Sequence, residues 1–331
     1  MKFVYFTSTV IKEPKLGILV EKTIVDLSPT IQFLELSSQI ELFSNIQFVM
    51  ENSASLLPII KQVEKAAMDK KVPEKFLTLE SDAKFHSPIP KPVSVRDGYA
   101  FRQHVESARK GRGLPMIPEF DLFPIFYFTN AAAITGPGDV AVQKTAAIDL
   151  DFELEVAIVI GKKGKNIPAA KADEHIFGYM VMNDWSARHL QREEMKLNLG
   201  PAKGKDFATS IGPYLVTRDE LEKFAVKGPK GERHNLRMQA WLNEKKVSDG
   251  NVKDMTWTFG EIIERASYGV TLSPGEVIGS GTVGTGCFME LNATKTTDNL
   301  WIKPGDRMIL EVEGLGRLEN KVVAASDDYE T

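Results

Sequence analysis

The sequence predicts a mixed, mostly β fold. Short runs with strand-like patterning outnumber helical segments along the 331 residues. The composition is that of a globular protein, with 43% apolar and 26% charged residues. A chain of this length can bury a large core, and it suggests one large domain or two unequal ones.

Residues 1–85 are predicted to form a small α+β unit. Leu16–Val20 and Thr23–Leu27 are apolar runs on either side of two charged residues, which predicts two strands and a tight turn. Leu56–Met68 has the apolar spacing of a helix. Its predicted inner face consists of Ile59, Ile60, Val63, Ala66 and Ala67.

A proline-rich segment at residues 86–92 follows, with three prolines in five residues. Proline favours extended backbone, so this segment is the predicted linker to a second unit at residues 93–331. That unit is rich in strand patterns. The predicted strands are Ile148–Ile160, Met238–Leu242, Glu276–Ile278, Phe288–Leu291 and Met308–Val312.

One helix of the second unit has a clear beginning. Thr258-Phe259-Gly260-Glu261 matches a capping box, in which the two polar side chains satisfy the first backbone N–H groups. The predicted helix is Glu261–Tyr268, with Ile262, Ile263 and Ala266 on its inner face.

Charge and cysteine content exclude several classes of protein. The 41 basic and 45 acidic side chains give a net charge of −4, without the positive field that attracts nucleic acid. The single cysteine, Cys287, rules out an intramolecular disulfide and a cysteine-based zinc cluster. No run approaches the ~20 apolar residues of a membrane helix, and the N-terminus is a poor signal peptide. We expect a cytoplasmic protein that binds neither membrane nor nucleic acid.

The most informative segment is acidic. If Ile148–Ile158 is a strand, its alternation places Asp149, Asp151, Glu153 and Glu155 on one face, ~7 Å apart. A solvated face would explain this, although such a face usually mixes lysine with acids. The alternative is that some of these carboxylates bind Mg²⁺ or Ca²⁺, which prefer oxygen ligands.

Further oxygen ligands would come from other segments. Asp184 stands among bulky apolar residues, where an acid is often buried and paired. The plainer explanation is a salt bridge to Arg188. Asp97 is another candidate, although an aspartate before glycine is also common in turns.

Residues 279–286 match G-x-G-x-x-G, which is weak evidence on its own. A dinucleotide site requires a helix directly after this loop. Because Cys287–Leu291 is predicted as a strand, we reject that interpretation. The glycines could still allow close approach of backbone to a ligand, or form a flexible turn.

Two further side chains could take part in acid–base or electrostatic chemistry. His104 would need a carboxylate to orient it as a base, and a lone histidine is more often structural. Lys205 lies in a glycine-rich loop, where a lysine is usually solvated. It could instead stabilise an anionic substrate or an oxyanion.

The order of these motifs along the chain is more specific than any one of them. Asp97-Gly98-Tyr99 precedes Arg102-Gln103-His104, and Glu153-Leu154-Glu155 follows. Residues 183–188 with Gln191, then Gly204-Lys205, residues 280–282 and Glu290 complete the series. This ordered set, over residues 93–323, resembles the fumarylacetoacetate hydrolase family.

The resemblance implies a β-roll in the C-terminal domain, a small N-terminal domain and a homodimer. It implies that Asp97, Glu153, Glu155 and Asp184 bind Mg²⁺ or Ca²⁺, which leaves Asp149 and Asp151 as flanking charge. It assigns His104 as general base and Glu290 as its orienting carboxylate. Arg188, Gln191 and Lys205 would stabilise the oxyanion and the leaving carbanion. The implied substrate contacts are Tyr99, Tyr127, Thr282 and either Arg112 or Arg109.

The implied activity is metal-dependent hydrolysis of a C–C bond in a β-diketo acid, with 4-fumarylacetoacetate as the leading substrate. Fumarate and acetoacetate would be the products. Alternatives within the same superfamily are acylpyruvate hydrolase, oxaloacetate decarboxylase and isomerase or hydratase of 2-oxo-enoic acids. A remote alternative is a non-catalytic scaffold that binds a metal or a ligand.

Overall fold

The structure is a computed structural model that describes residues 1–111 and 113–326. About 33% of the chain is strand and 30% is helix, which confirms a mixed fold. In the described ranges, no helix is long and apolar enough to cross a membrane.

The helices and strands are numbered in chain order. The helices are α1 (Leu27–Phe33), α2 (Ile46–Glu51), α3 (Ser53–Met68), α4 (Arg102–Gly111), α5 (Ala169–Ala172), α6 (Arg188–Glu194), α7 (Phe259–Ser267) and α8 (Phe288–Ala293). The strands are β1 (Lys2–Thr7), β2 (Lys15–Val20), β3 (Thr23–Asp26), β4 (Leu77–Leu79), β5 (Lys84–His86), β6 (Val95–Gly98), β7 (Phe126–Thr129), β8 (Ile134–Thr135), β9 (Gly138–Val142), β10 (Leu150–Asp151), β11 (Leu154–Ile160), β12 (Gly164–Lys165), β13 (Ile176–Asp184), β14 (Ser186–Ala187), β15 (Thr209–Thr217), β16 (Ala225–Val226), β17 (Arg233–His234), β18 (Arg237–Leu242), β19 (Lys245–Asn251), β20 (Thr271–Leu272), β21 (Val277–Gly279), β22 (Arg307–Val312) and β23 (Gly316–Ala324).

Two sheets dominate the part of the chain that the structure describes. The larger has the order β4-β3-β2-β1-β15-β13-β11-β21-β6-β7, with β5 beside β1 and β8 beside β15. The smaller has the order β19-β18-β22-β23-β9. The neighbouring strands β13, β11, β21, β6 and β7 bring distant sequence motifs together at one place in the larger sheet.

The side chains of β11 alternate between two hydrophobic cores. Val156 and Ile158 face the core that includes the smaller sheet, whereas Ala157 and Val159 face the core that includes α2 and α3. Burial on both faces explains why this strand is a continuous apolar run rather than an amphipathic one.

Several expectations for the N-terminal unit are confirmed. β2 and β3 form an antiparallel pair around a tight turn, in which Glu21 has a φ of 55°. α3 begins at Ser53, three residues before the predicted Leu56, and buries Leu56, Ile60, Val63 and Ala66. Ile59 and Ala67 lie at the margin of that core and are partly buried.

The large sheet continues across the predicted linker, because β1 pairs with β15. Ile89 is buried in the middle of the linker. The division into residues 1–85 and 93–331 therefore stays a prediction.

The expectation of one strand from Ile148 to Ile160 is wrong. β10 and β11 are separate, and Asp149 adopts a left-handed φ of 52°. The backbone N–H of Glu153 donates to the side-chain oxygen of Asn183 at 3.0 Å instead of continuing a strand ladder. Because of this break, Asp151 and Glu153 do not share one strand face: Glu153 joins a cluster of carboxylates, whereas Asp151 contacts the start of α8.

The expectation of a strand at Phe288–Leu291 is also wrong, because this segment begins α8. The Asp151 carboxylate accepts the first two N–H groups of the helix and so fixes its start. A helix therefore does follow the glycine loop, contrary to the expectation. A dinucleotide site is excluded for a different reason, because the first two N–H groups of this helix already donate to Asp151. The capping box is confirmed, and α7 begins at Phe259, two residues before the predicted Glu261.

Candidate active site

Four carboxylates that are far apart in sequence meet in the larger sheet. Asp97 lies in β6, Glu155 in β11 and Asp184 at the end of β13, while Glu153 directly precedes β11. All four are buried, and each offers an oxygen atom within 4.8 Å of the others. The structure thus brings together the four acids that the sequence analysis selected as metal ligands.

Two glycines allow this close packing. Gly279 lies opposite Asp97 in the parallel pair of β21 and β6, and a Cβ atom there would lie 2.3 Å from the Asp97 Oδ1 atom. Gly281 has a φ of 77°, which favours glycine. Its N–H donates to Glu155 Oε2 at 3.0 Å and to Asp97 Oδ1 at 3.2 Å. The glycine-rich loop therefore binds the carboxylates.

Lys205 is buried among these acids. Its Nζ atom lies 2.5 Å from Glu153 Oε2 and 2.6 Å from Asp184 Oδ2. The usual expectation for a loop lysine, that it is solvated, is wrong here. The alternative of an Asp184–Arg188 salt bridge is not what the structure shows either, because Arg188 binds Asp151 and Glu153.

The electrostatics of the cluster are unbalanced. Burial, followed by repulsion from Asp184, raises the pKa of Asp97 to about 8. Burial and the nearby Asp97 raise the pKa of Glu155 well above its ordinary value. Burial opposes ionisation of Glu153 as well, but Lys205 and Arg188 outweigh it and lower the pKa of Glu153. The cluster thus has more carboxyl groups than its two cations can neutralise, so Asp97 and Glu155 favour their protonated forms unless a further cation is bound.

This donor set fits a divalent cation. The ligand atoms are all carboxylate oxygens, which suit Mg²⁺, Ca²⁺ or Mn²⁺. Asp184 Oδ1 is buried and has no hydrogen-bond partner among the residues that the structure describes. A buried acceptor without a donor is costly, and a bound cation would satisfy it.

Next to the carboxylates lies a histidine–glutamate pair. His104 is on α4 and Glu290 on α8, and His104 Nδ1 lies 3.0 Å from Glu290 Oε2. Both side chains are buried. A carboxylate accepts the Nδ1 hydrogen, which leaves Nε2 as the basic nitrogen. The Tyr99 ring packs edge-on against the imidazole, with the two centroids 5.7 Å apart.

Arg188 contacts protein groups with every side-chain nitrogen. Its Nε donates to Asp151 at 2.9 Å, its Nη2 to Glu153 at 2.7 Å and its Nη1 to Gln191 Oε1 at 2.9 Å. Because the Gln191 Oε1 atom accepts from Arg188, the Nε2 hydrogens of Gln191 are the groups of this amide that can donate to a substrate. Direct contact of Arg188 with an oxyanion stays a prediction.

Of the predicted substrate contacts, Tyr127 and Thr282 lie at the carboxylate cluster, whereas Arg109 contacts a loop carbonyl. Tyr127 pairs with Asp97 across β6 and β7, and its hydroxyl donates to Asp184. The Thr282 hydroxyl lies 3.4 Å from Glu155 Oε1. Arg109 is partly exposed, and its Nε donates to the carbonyl of Pro115. Arg112 lies outside the described residues.

The sequence analysis missed two residues that hold the site together. Asp151, treated there as flanking charge, is fully buried against Arg188 and α8. Cys287 Sγ accepts the N–H of Glu290 at 3.4 Å and lies 3.9 Å from His104 Nδ1. The apolar neighbours of Asp151 on both sides were the available indication that it is not a surface acid.

A buried cluster of carboxylates that could hold a metal ion lies beside a histidine–glutamate pair, an arrangement typical of enzymes that use acid–base chemistry. The chain belongs to the fumarylacetoacetate hydrolase family: the description "Fumarylacetoacetate (FAA) hydrolase C-terminal" matches residues 94–323. It is therefore an enzyme of that superfamily.

Curated relatives include two kinds of enzyme. Oxaloacetate tautomerase YisK of Bacillus subtilis is 30% identical over 75% of each chain. Human mitochondrial oxaloacetate tautomerase FAHD2A is 33% identical over 73% of this chain and 70% of its own. Fumarylacetoacetase of Oryza sativa subsp. japonica is 29% identical over 66% of this chain and 64% of its own.

Solved structures share the fold over nearly the whole chain. Fumarylacetoacetate hydrolase of Exiguobacterium antarcticum has a TM-score of 0.71 at 22% identity, covering 98% of this chain and 99% of its own. Maleylpyruvate hydrolase of Sphingobium sp. SYK-6, in complex with manganese(II) and pyruvate, has a TM-score of 0.69 at 20% identity, covering 98% of this chain and 100% of its own.

Proposed function

We propose that this enzyme abstracts a proton next to the carbonyl of a 2-oxo acid and directs the resulting enolate, with oxaloacetate as the leading substrate. Keto–enol tautomerisation is the leading reaction. The observation that carries the proposal is the buried base His104, which lies beside the four-carboxylate centre and has a nitrogen within 4.8 Å of a Glu153 oxygen. Two oxaloacetate tautomerases among the relatives support the same reaction.

The four carboxylates would hold the cation, which would polarise the 2-oxo carbonyl and acidify the neighbouring C–H bond. Glu290 keeps the Nδ1 hydrogen of His104 in place, so that Nε2 can take the proton from carbon. The Lys205 ammonium and the Gln191 amide can donate hydrogens to the negative charge that develops on oxygen. Return of the proton to oxygen gives the enol, and the reverse sequence gives the keto form.

A second candidate is hydrolysis of a C–C bond in a β-diketo acid such as 4-fumarylacetoacetate. The specific observation in its favour is the His104–Glu290 pair, which is suited to activate water. His104 would take a proton from water while the water oxygen bonds to the carbonyl carbon. The C–C bond would then break, and the departing enolate would take a proton. The rice fumarylacetoacetase supports this candidate.

One pair of assays separates the two candidates. Protein stripped with EDTA is supplied with Mg²⁺ or Mn²⁺ and assayed by absorbance for oxaloacetate enol decay and for loss of fumarylacetoacetate. We expect metal-dependent acceleration of enol decay without C–C cleavage. Release of fumarate and acetoacetate would support the second candidate, and the absence of both activities would overturn both.

We also propose that the active form is a homodimer acting on a small-molecule substrate. The motif pattern shared with the family supports this expectation. Light scattering of the purified protein tests it directly: a mass near twice the 36.8 kDa of one chain is expected, and a monomer would contradict it.

A further inference from the structure

Asp151 takes no part in the reaction proposed above, yet it is a fully buried acid in contact with residues of the site. Its side chain is fully buried at the end of β10. Its oxygens accept three backbone N–H groups, from Phe152 at 2.9 Å, Phe288 at 2.6 Å and Met289 at 3.0 Å. Two of these N–H groups belong to the first turn of α8.

The hydrogen bonds at the start of α8 determine where Glu290 points. The first two helical N–H groups donate to Asp151, and the third, that of Glu290, donates to Cys287 Sγ. A helix of six residues has little stability of its own, so these acceptors decide its position. Glu290 in turn orients His104.

The same carboxylate also contacts Arg188, which lies next to the carboxylate cluster. Arg188 Nε and Nη2 lie 2.9 and 2.8 Å from Asp151 Oδ2. The guanidinium also binds Glu153 and Gln191. Asp151 thus binds Arg188 directly, and it binds the first turn of α8, which carries Glu290.

We propose that Asp151 is a positioning residue that fixes the base pair and the carboxylate centre relative to each other. Through α8 it sets the orientation of Glu290 and His104, and through Arg188 it sets that of Glu153 and Gln191. The catalytic part of this inference rests on the proposed function, in which His104 is the base. The structural part, that Asp151 holds α8, does not depend on turnover.

The test compares Asp151→Asn with Glu261→Gln. Asparagine keeps the size of the side chain but loses the charge and one acceptor oxygen. Glu261 is a matched control, because it is a buried acid that caps α7 and pairs with Lys230 at 3.0 Å, and it contacts none of the site residues named above. Both variants remove a buried charge at a helix start, so general destabilisation should affect both.

We expect Asp151→Asn to lower kcat about 10–100-fold, as loss of groups that orient metal ligands typically does, with a much smaller change in KM. Amide hydrogen exchange of the peptide spanning residues 287–293 should become faster. Glu261→Gln should leave kcat and that peptide unchanged and accelerate exchange only in α7. Asp151→Glu, which restores the charge, should recover part of kcat.

Three outcomes would decide against the proposal. Unchanged kcat in folded Asp151→Asn would overturn it, and so would a loss of kcat with unchanged exchange in α8. If Asp151→Asn fails to fold, Asp151→Ser, which also removes the carboxylate, is measured in its place, and wild-type kcat and exchange in that variant would overturn the positioning role. Wild-type protein without activity, combined with faster exchange in the variant, would overturn the proposed function and leave the link to α8 standing.

Discussion

Acids and bases meet in two regions of this protein with opposite electrostatic results. On the surface of the smaller sheet, Asp249 lies 2.5 Å from Arg237 and 2.8 Å from Lys246. The hydrogen bonds from Arg237 and Lys246 hold the pKa of Asp249 well below its usual range. In the buried site, burial raises the pKa of Asp97 and Glu155.

The difference lies in charge balance and in access to water. Two cations pair with one carboxylate at the surface, whereas among the described residues Lys205 and Arg188 pair with only three of five buried acids. The five are Asp97, Asp151, Glu153, Glu155 and Asp184. Water can screen the surface group but not the buried ones. The buried carboxyls without a counter-charge, Asp97 and Glu155, are therefore the structural reason to expect a divalent cation, which would take the place of their protons.

The largest expected effect comes from removing the base beside the buried cluster. His104→Ala should lower kcat by about 10²–10⁴-fold, because general-base catalysis contributes that much, while metal binding remains. The measurement is steady-state kinetics together with a metal titration. His175→Ala is the control, since His175 is partly exposed and bonds only the Lys162 carbonyl in the described contacts. Substantial residual activity in His104→Ala would defeat the assignment.

The next largest effect is expected at Lys205 in the buried site, and it can be compared with that of Lys246 at the surface. Lys205→Met should lower kcat about 10²–10³-fold, the usual result of removing one donor to developing charge. It should also destabilise the metal-free protein by about 3–5 kcal/mol, because buried Glu153 and Asp184 lose their counter-charge. Thermal unfolding with and without Mn²⁺ measures this second effect.

Lys246→Met removes the corresponding contact from Asp249 at the surface. It should change neither kcat nor the unfolding midpoint measurably, since exposed pairs contribute little. Equal destabilisation by Lys205→Met and Lys246→Met would contradict the claim that the buried ion pairs matter more than the surface ones.

A smaller effect is expected at Tyr127. Its hydroxyl donates to Asp184, so Tyr127→Phe should weaken metal binding by about tenfold, as loss of a hydrogen bond to a metal ligand does. Tyr214→Phe is a matched control, because the Tyr214 hydroxyl donates to Glu80, which takes no part in the carboxylate cluster. Calorimetric titration with Mn²⁺ should show weaker binding only in Tyr127→Phe.

Local patterns in the sequence predicted the elements whose cause is local. The turn between β2 and β3 and the capping box of α7 depend on neighbouring residues, and both are confirmed. The order of acidic motifs also identified the four carboxylates that the fold brings together.

Elements held by distant partners could not be predicted in this way. The local sequence of α8 predicts a strand, because the acid that fixes the start of this helix, Asp151, lies 137 residues earlier. The break between β10 and β11 depends on the side chain of Asn183, 30 residues away. Asp184 pairs with Lys205, which is 21 residues away, and not with the much nearer Arg188, so tertiary packing rather than sequence distance determines this pair.

The central claim is that the buried carboxylates form a cation site, and calorimetric titration of EDTA-treated protein with Mn²⁺ tests it most directly. We predict one ion bound per chain in the wild type and in Lys246→Met. Binding should be lost in Glu155→Ala, which removes a ligand from the middle of the cluster. No binding to the wild type, or unchanged binding to Glu155→Ala, would contradict the account.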